Sequence, residues 1–589
     1  MSSVSSNSKT KVRELELTPE ITQMGFTAAR VIGKLLTLTH KSDATVQCQF
    51  DINNIPTSIK RLQNAIAANN KISLDEQYHA GKFGIHFTDM LVQSIEQEYA
   101  KQETERTRDQ EDKQKTIDEI NKDRSTLADI SLEEWENTRK QKYETLLNTI
   151  KENNIGSLWT PLEFTLSIKC ILNIKDITLP FAGIILGAPS TLKTVSLIML
   201  NKWPQTYYTD NFTPPALVSH NTGVPKDQLP EIDMLPHWKN KLVLLPEMSP
   251  TFTKREEDLM HLLGILTRVL DGQGYISNSG AHGQRGYNEK IMFTLAGASV
   301  EIPYRVYKVL GYLGPKLYFL RPDKDESENE DNSLASLRES FAGREQKVQL
   351  ALFEYLKWLE IRPDMETDKE SSLQKISWDY SKDDEDALRY IIKLANLLSR
   401  LRGVAETWEP RGTQGSDYGY TIPMIEHPSR AMTQLYSLAR GHALSLGRNY
   451  VTKADLPIVI KVVLSTGPIQ RVKILDKLLS DGNEWTTSQI TSSLEISRPT
   501  ALRTMTELTI LGLVDMYPKI GTEDADMHIN EEKKIWLKDK FKDWLSTEEF
   551  KKLRKGEIDR EIFYKMSVKT FDTAYTLQKI KTLRRCQIS

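Results

Sequence analysis

The sequence predicts a multidomain chain built around an α/β core with a parallel sheet. A helical region precedes the core, further helices follow it, and a helix-turn-helix unit stands near the C-terminus. Three observations predict this. Short apolar runs alternate with helical segments from residue 155 to about 323, the pattern a parallel sheet requires. Helical periodicity dominates residues 333–465. Two helical segments separated by a turn occupy residues 486–510, and a strand-like run follows them. With 589 residues, the chain has room for three or four folded units.

Composition narrows the class. Lys and Arg number 78 against 80 Asp and Glu, an average that by itself points away from nucleic acid. No apolar stretch approaches the 18 residues of a membrane span. The start, Met1-Ser-Ser-Val-Ser-Ser-Asn-Ser-Lys, lacks the apolar core of a secretory signal, so a cytoplasmic protein with no membrane partner is expected. Cys48, Cys170 and Cys586 are too scattered for a disulfide framework or a zinc site.

Residues 1–95 are expected to form a helical N-terminal unit, on the periodicity of Met24-Gly-Phe-Thr-Ala-Ala-Arg-Val-Ile-Gly-Lys-Leu-Leu. Residues 96–154 form a charged connector. Between 96 and 124, 17 of 29 residues are charged, which leaves too little apolar surface to bury. A solvated helix or a partly disordered segment fits that pattern, whereas a coiled coil would need apolar heptads that are missing.

The core is expected over 155–332. Pro180-Phe-Ala-Gly-Ile-Ile-Leu186 reads as a buried strand running into Gly187-Ala188-Pro189-Ser190-Thr191-Leu192-Lys193-Thr194 and then a helical segment. Strand, small-residue loop and a helix opening on Lys-Thr are the context of a phosphate-binding loop. Its backbone N–H groups and the helix start cradle phosphates. Lys193 reaches the β- and γ-phosphates, and the Thr194 hydroxyl ligates Mg²⁺. ATP with Mg²⁺ is therefore the expected cofactor. The general pattern has glycine before the lysine, where this chain has Leu192. An ordinary strand–turn–helix connection is the plainer reading of the same residues.

Lys241-Leu-Val-Leu-Leu-Pro-Glu247 is a second apolar strand, ending in a carboxylate. Beside a phosphate loop, Glu247 is expected to hold the metal or orient the attacking water; otherwise it is a solvated strand end. Lys290-Ile-Met-Phe-Thr-Leu-Ala-Gly-Ala-Ser299 is a third strand, preceded by a hairpin centred on Gly280-Ala-His-Gly283. That hairpin carries His282, Gln284, Arg285, Tyr287 and Lys290. It is either a DNA-backbone contact through Arg285 and Lys290 or a solvated hairpin.

Residues 467–530 read as a winged helix-turn-helix. Thr486 or Thr487 is placed to cap the first short helix and Ser497 the second, with Pro499 harmless in the first turn. Arg498, Thr500, Arg503 and Thr504 lie near the start of the second helix, where such residues meet DNA. A protein contact is the alternative use of the unit. Residues 531–589 form a helical tail with 16 Lys/Arg against 10 Asp/Glu, a solvated face or a salt-sensitive phosphate contact.

Together these residues resemble a known lineage. Gly187-Ala-Pro-Ser-Thr-Leu-Lys-Thr is similar to the Walker A loop of the minichromosome-maintenance helicases, and the hairpin before Ser299 resembles their pre-sensor hairpin. Pro428-Ser-Arg430-Ala-Met-Thr-Gln-Leu-Tyr and Val451-Thr-Lys-Ala-Asp look like lid helices of the same AAA+ group. The order of motifs over roughly 155–520 also resembles winged-helix-bearing ATPases of phages and actinobacteria. The resemblance implies an AAA+-like ATPase core with a helical lid over 333–466, working as a ring on single- or double-stranded DNA. It places Ser299 at the sensor-1 position and Arg430, with Arg440 as substitute, at sensor 2. Two departures stand out. Pro246 replaces an acid before Glu247, and Gly314-Pro-Lys316 stands where an arginine finger is expected, so Lys316 or Arg321 would take that part. The expected function is an ATP-driven DNA-remodelling motor, of helicase or replication type, from a virus or mobile element. The alternative is an ATP-switched winged-helix regulator with little turnover. A protein-directed ATPase is a third possibility.

Overall fold

The computed structural model describes residues 12–15, 22, 26–32, 35–42, 44–49, 60–62, 64–66 and 68–69. It also describes 107–557 apart from 154, 190, 211, 222–225, 281, 315, 323–339, 410–417, 482–483 and 519–531. The chain divides into two units, Met1–Lys115 and Thr116–Ser589.

The first unit contains an antiparallel sheet where helices were expected, and among its described residues only 22, 60–62, 64–66 and 107–115 are helical. β1 (Val12–Leu15), β2 (Phe26–Ile32), β3 (Leu35–His40) and β4 (Thr45–Gln49) pair in sequential order. The helical expectation fails here because the side chains alternate. Leu36, Leu38 and His40 are buried while Thr37 and Thr39 between them are partly exposed, and Val46 is buried between exposed Thr45 and Gln47. The apolar run of residues 24–36 satisfies both periods, and the β-branched Thr and Val residues that follow suit a pleated, half-buried surface.

Residues 107–126 are helical, and in the second unit α1 (Leu132–Glu152) follows behind a capping box of Ser131 and Glu134. α2 (Trp159–Ile171) is apolar and buried on most sides. Next come β5 (Phe181–Leu186), α3 (Lys193–Ile198), β6 (Thr206–Tyr208), β7 (Leu242–Leu245) and α4 (Glu256–Val269). The expected hairpin forms from β8 (Tyr275–Ser279) and β9 (Gly283–Tyr287). β10 (Thr294–Ser299), α5 (Tyr304–Leu313) and β11 (Leu317–Leu320) complete the core.

The core is α/β, as expected: one five-stranded sheet, all parallel, in the order β11-β5-β10-β7-β6. β5 and β10 are buried at every position, which is why they read as unbroken apolar and small-residue runs. One apolar cluster fills each face of the sheet. α2 and α3 join one, and α4 and α5 join the other.

Helices α6 (Phe341–Glu360), α7 (Glu385–Leu401), α8 (Ser429–Ser445) and α9 (Leu456–Thr466) follow. α8 crosses α2 so closely that a Cβ on Gly441 would lie 2.2 Å from the Ser167 carbonyl oxygen. The chain then forms α10 (Ile469–Asp481), β12 (Trp485–Thr486), α11 (Thr487–Leu494), α12 (Arg498–Ile510), β13 (Val514–Tyr517) and β14 (Lys534–Leu537). The three strands pair antiparallel in the order β12-β14-β13. Thr486 caps α11 in a capping box with Gln489, and Ser497 caps α12. Two short helices, α13 (Asp539–Leu545) and α14 (Glu548–Lys555), end the described chain. The tail's last basic cluster, Arg584 and Arg585, lies outside the described residues. Among the described residues no helix is long and apolar enough to cross a membrane.

Candidate functional site

Because β5, β7 and β10 run parallel, their carboxyl ends share one edge, where open α/β sheets bind ligands. β5 and β10 are in register up to Leu186 opposite Ser299, and β10 is in register with β7 up to Gly297 opposite Leu245. The loop Gly187–Thr194, Glu247 and Ser299 therefore emerge side by side. Gly187 N donates to the Ser299 carbonyl at 3.2 Å. A side chain at Gly187 would press on Thr191 Oγ1, 2.9 Å from the position of its Cβ. Ser190 lies outside the described residues.

Lys193 opens α3 but folds back over the loop. Its ammonium donates to the Ala188 carbonyl at 2.5 Å and to Thr191 Oγ1 at 3.2 Å, while Thr191 Oγ1 donates to the same carbonyl at 2.9 Å. Burial holds the Lys193 ammonium below its ordinary pKa, and the Glu247 carboxylate partly offsets that. Leu192, just before it, has φ +55. This is the left-handed region that glycine enters freely and leucine does not. The glycine expected at this position is thus a conformational requirement that the chain meets with a strained leucine.

Thr194 Oγ1 donates to the Pro246 carbonyl at 3.3 Å, which ties the loop to the residue before Glu247. Glu247 is exposed, and its Oε1 accepts from Ser249 N at 2.8 Å. Ser249 Oγ lies 3.2 Å from Ser299 Oγ and accepts from Val300 N at 3.1 Å. Ser299 is buried, and its hydroxyl meets that of Ser249. Sequence reasoning missed Ser249. The signal was local: a Ser-Pro pair two residues beyond the strand-end glutamate opens a new helical turn.

These residues suit a phosphate chain with a hard cation. The loop brings small residues and a buried ammonium together. Thr194 and Glu247 would offer two oxygen ligands, in keeping with the few protein ligands that Mg²⁺ takes when phosphates and waters complete its shell. Among the described residues no group of three or more His, Cys, Asp or Glu side chains is placed to hold a metal unaided.

Arg430 and Lys316 do not join this site. Arg430 Nη1 and Lys316 Nζ meet one carboxylate oxygen, Asp271 Oδ1, at 2.8 and 2.7 Å. Asp271 adjoins Gly272, which packs on Pro180 and Thr178 before β5 begins, and Gln434 Nε2 donates to the Pro180 carbonyl at 3.0 Å. Lys316 precedes Leu317, which pairs with Ala182. Both cations therefore sit at the amino edge of the sheet. The six residues of β5 separate them from the loop, about 20 Å at 3.3 Å per residue. The lid-type contact expected of Arg430 is thus not made within this chain. The substitute, Arg440, is held on Asp176 at 2.7 Å, also before β5. Arg321 does lie at the carboxyl edge, but Glu301 engages it at 2.6 and 2.8 Å and Tyr307 OH at 2.6 Å.

Two of the expected DNA contacts are also withdrawn. Arg285 is largely buried and pairs at 2.9 Å with fully buried Asp233, whose Oδ2 also accepts from Tyr287 OH at 2.7 Å. The hairpin is tied back by one carboxylate 52 residues upstream of Arg285, for which no local pattern exists. Thr504 is buried, and its hydroxyl donates to the Thr500 carbonyl at 2.8 Å. Arg503 pairs with Glu507 at 3.3 Å and covers the Tyr304 ring at 5.3 Å. Arg498 and Lys290 are exposed, and Thr500 is half-buried. Compared with known proteins, the chain matches no family model and no curated protein.

Proposed function

We propose that this chain is an ATP-binding, ATP-hydrolysing DNA-remodelling protein with an AAA+-like core, a lid formed by α6–α9 and a C-terminal winged helix. One observation carries the reading: the Thr194–Pro246 bond sets the lysine-bearing loop beside the strand-end carboxylate at the carboxyl edge of an all-parallel sheet. Bound ATP with Mg²⁺ supplies an activated γ-phosphoryl group. Lys193 and the loop backbone hold its phosphates, and Thr194 and Glu247 hold the metal. Glu247, exposed and anchored by Ser249 N, orients the water. Ser299 reports on that carboxylate through Ser249. Arg498 and Thr500 at the start of α12 and exposed Lys290 contact DNA, and the helix–strand–helix–helix–strand–strand order of 469–537 supports the winged-helix reading.

Arg430 and Lys316 are both committed to Asp271 at the far edge, so hydrolysis needs a second cation from a neighbouring chain. That supports a ring. The same observation favours a second reading, an ATP-switched regulator that binds nucleotide without turning it over. Phosphate release by the wild type, Lys193→Ala and Glu247→Gln, with and without single-stranded DNA, decides between them. Turnover above the Lys193→Ala background supports the motor. Its absence in every condition, with nucleotide still bound, leaves the switch.

A further inference from the structure

We infer that the outward face of the β12-β14-β13 sheet, centred on Trp536, is a stacking platform for single-stranded nucleic acid. Along β14, Ile535 and Leu537 point inward and are buried. Lys534, Trp536 and the next residue, Lys538, therefore face outward at alternate positions, about 7 Å apart. Across the ladder Trp536 stands opposite Asp515, and exposed Tyr517 stands opposite Lys534.

Further cations converge on one end of this face. Lys538 N donates to the Leu513 carbonyl at 3.1 Å, and Arg400 Nη1 donates to the Leu511 carbonyl at 2.9 Å. The Arg400 guanidinium and the Lys538 backbone thus both meet the turn that leads from α12 into β13, and the Lys538 side chain starts from there. Lys540 is exposed beside them. Partial burial first, then the charges of Arg400 and Lys538, lower the proton affinity of its ammonium. Asp515 pairs with Lys538 at 3.4 Å and Glu484 with Lys534 at 3.1 Å. Among the described residues no carboxylate pairs with Arg400 or Lys540.

A half-buried indole stands on the outward face, with Lys534 and Lys538 on either side along the strand and Arg400 and Lys540 at one end. This arrangement matches a nucleic-acid strand, whose phosphates meet the charges while a base covers the ring. Only an unpaired base exposes its face, because a duplex stacks its bases on one another, so a flat sheet surface selects single strands. This platform is distinct from the start of α12, and it rests on the DNA-binding half of the proposed function.

Fluorescence anisotropy of a labelled oligo-dT strand and of the matching dA·dT duplex, over a salt series, tests it on the full chain. Trp536→Ala is expected to weaken single-strand binding by about 5- to 100-fold and Trp536→Phe to restore most of it, with duplex binding little changed. Lys538→Ala with Lys540→Ala is expected to lower the single-strand salt slope by about 1.4. Wild-type single-strand affinity in Trp536→Ala, with an unchanged slope in the lysine variant, overturns the platform and leaves DNA binding elsewhere intact. A wild-type chain that binds neither probe removes the platform and the DNA-binding half together.

Discussion

Thr194 Oγ1 donates to the Pro246 carbonyl at 3.3 Å, joining the loop before α3 to the end of β7. This contact places a hydroxyl next to the strand-end carboxylate without any direct bond between them. Thr194→Ala removes one neutral hydrogen bond, so stability should fall by only about 1 kcal/mol. Magnesium-dependent phosphate release should drop to the Lys193→Ala level, and Thr194→Ser should restore it. Turnover unaffected in Thr194→Ala would remove this hydroxyl from the metal site.

Leu192 gives a second test, because its φ of +55 separates conformation from chemistry. A leucine there carries about 1–2 kcal/mol of strain, and its half-buried side chain packs against the core. In Leu192→Gly the strain relief and the lost packing nearly cancel, so urea unfolding should shift by less than about 1 kcal/mol. Leu192→Val adds a branched Cβ to the same backbone and should cost about 1–2 kcal/mol. Equal stability of the Val and Gly variants would show that the loop relaxes out of the left-handed region.

The parts of the site that share one strand–loop–helix segment were legible in the chain. The buried run Phe181–Leu186 and the Lys193-Thr194 pair lie within 14 residues, and burial makes such a run continuously apolar. The sheet edge on which a residue emerges was not legible. Arg430 and Asp271 are 159 residues apart, and spacing alone cannot tell the amino edge from the carboxyl edge. Burial of polar helix residues was equally hidden. Thr504 was expected to meet DNA, yet α12 buries it together with Thr506 and Glu507, and Glu507 is held by buried Arg471 at 2.9 Å. The N-terminal strands escaped because their apolar spacing also suits a helix.

The position of Arg430 predicts a dissociation of effects. Its guanidinium serves Asp271 and the Leu270 carbonyl, so Arg430→Ala should leave the affinity for a fluorescent ATP analogue within about twofold of wild type. Lys193→Ala removes a charge-assisted phosphate contact and should weaken the same affinity about tenfold or more. A tenfold loss in Arg430→Ala, measured at protein concentrations where single chains dominate, would place Arg430 at the nucleotide after all.

The buried pair of His442 and Asp455 sets a pH dependence. His442 Nδ1 lies 2.7 Å from Asp455 Oδ1 and its Nε2 lies 3.3 Å from Glu163 Oε1, while Arg448 binds both Asp455 oxygens at 2.8 Å. Burial opposes charge on the imidazole, but Asp455 and Glu163 outweigh it and raise the ring to about 10 from an ordinary 6.5. Burial likewise opposes charge on Asp455, yet Arg448 and His442 hold it down at about 2. A raised histidine stabilises the fold fully below its unfolded value and loses that contribution as pH climbs toward the folded one. A depressed aspartate does the reverse, losing its contribution only on acidification below its ordinary 3.8. Stability should therefore be level between about pH 4 and 6.5 and fall above that, by up to about 1.4 kcal/mol per pH unit. His442→Gln should be about 3 kcal/mol less stable at pH 6 and should lack the decline between pH 7 and 9. Urea midpoints across that range decide it: a wild-type curve that stays flat to pH 9 means that the imidazole is neutral in the fold.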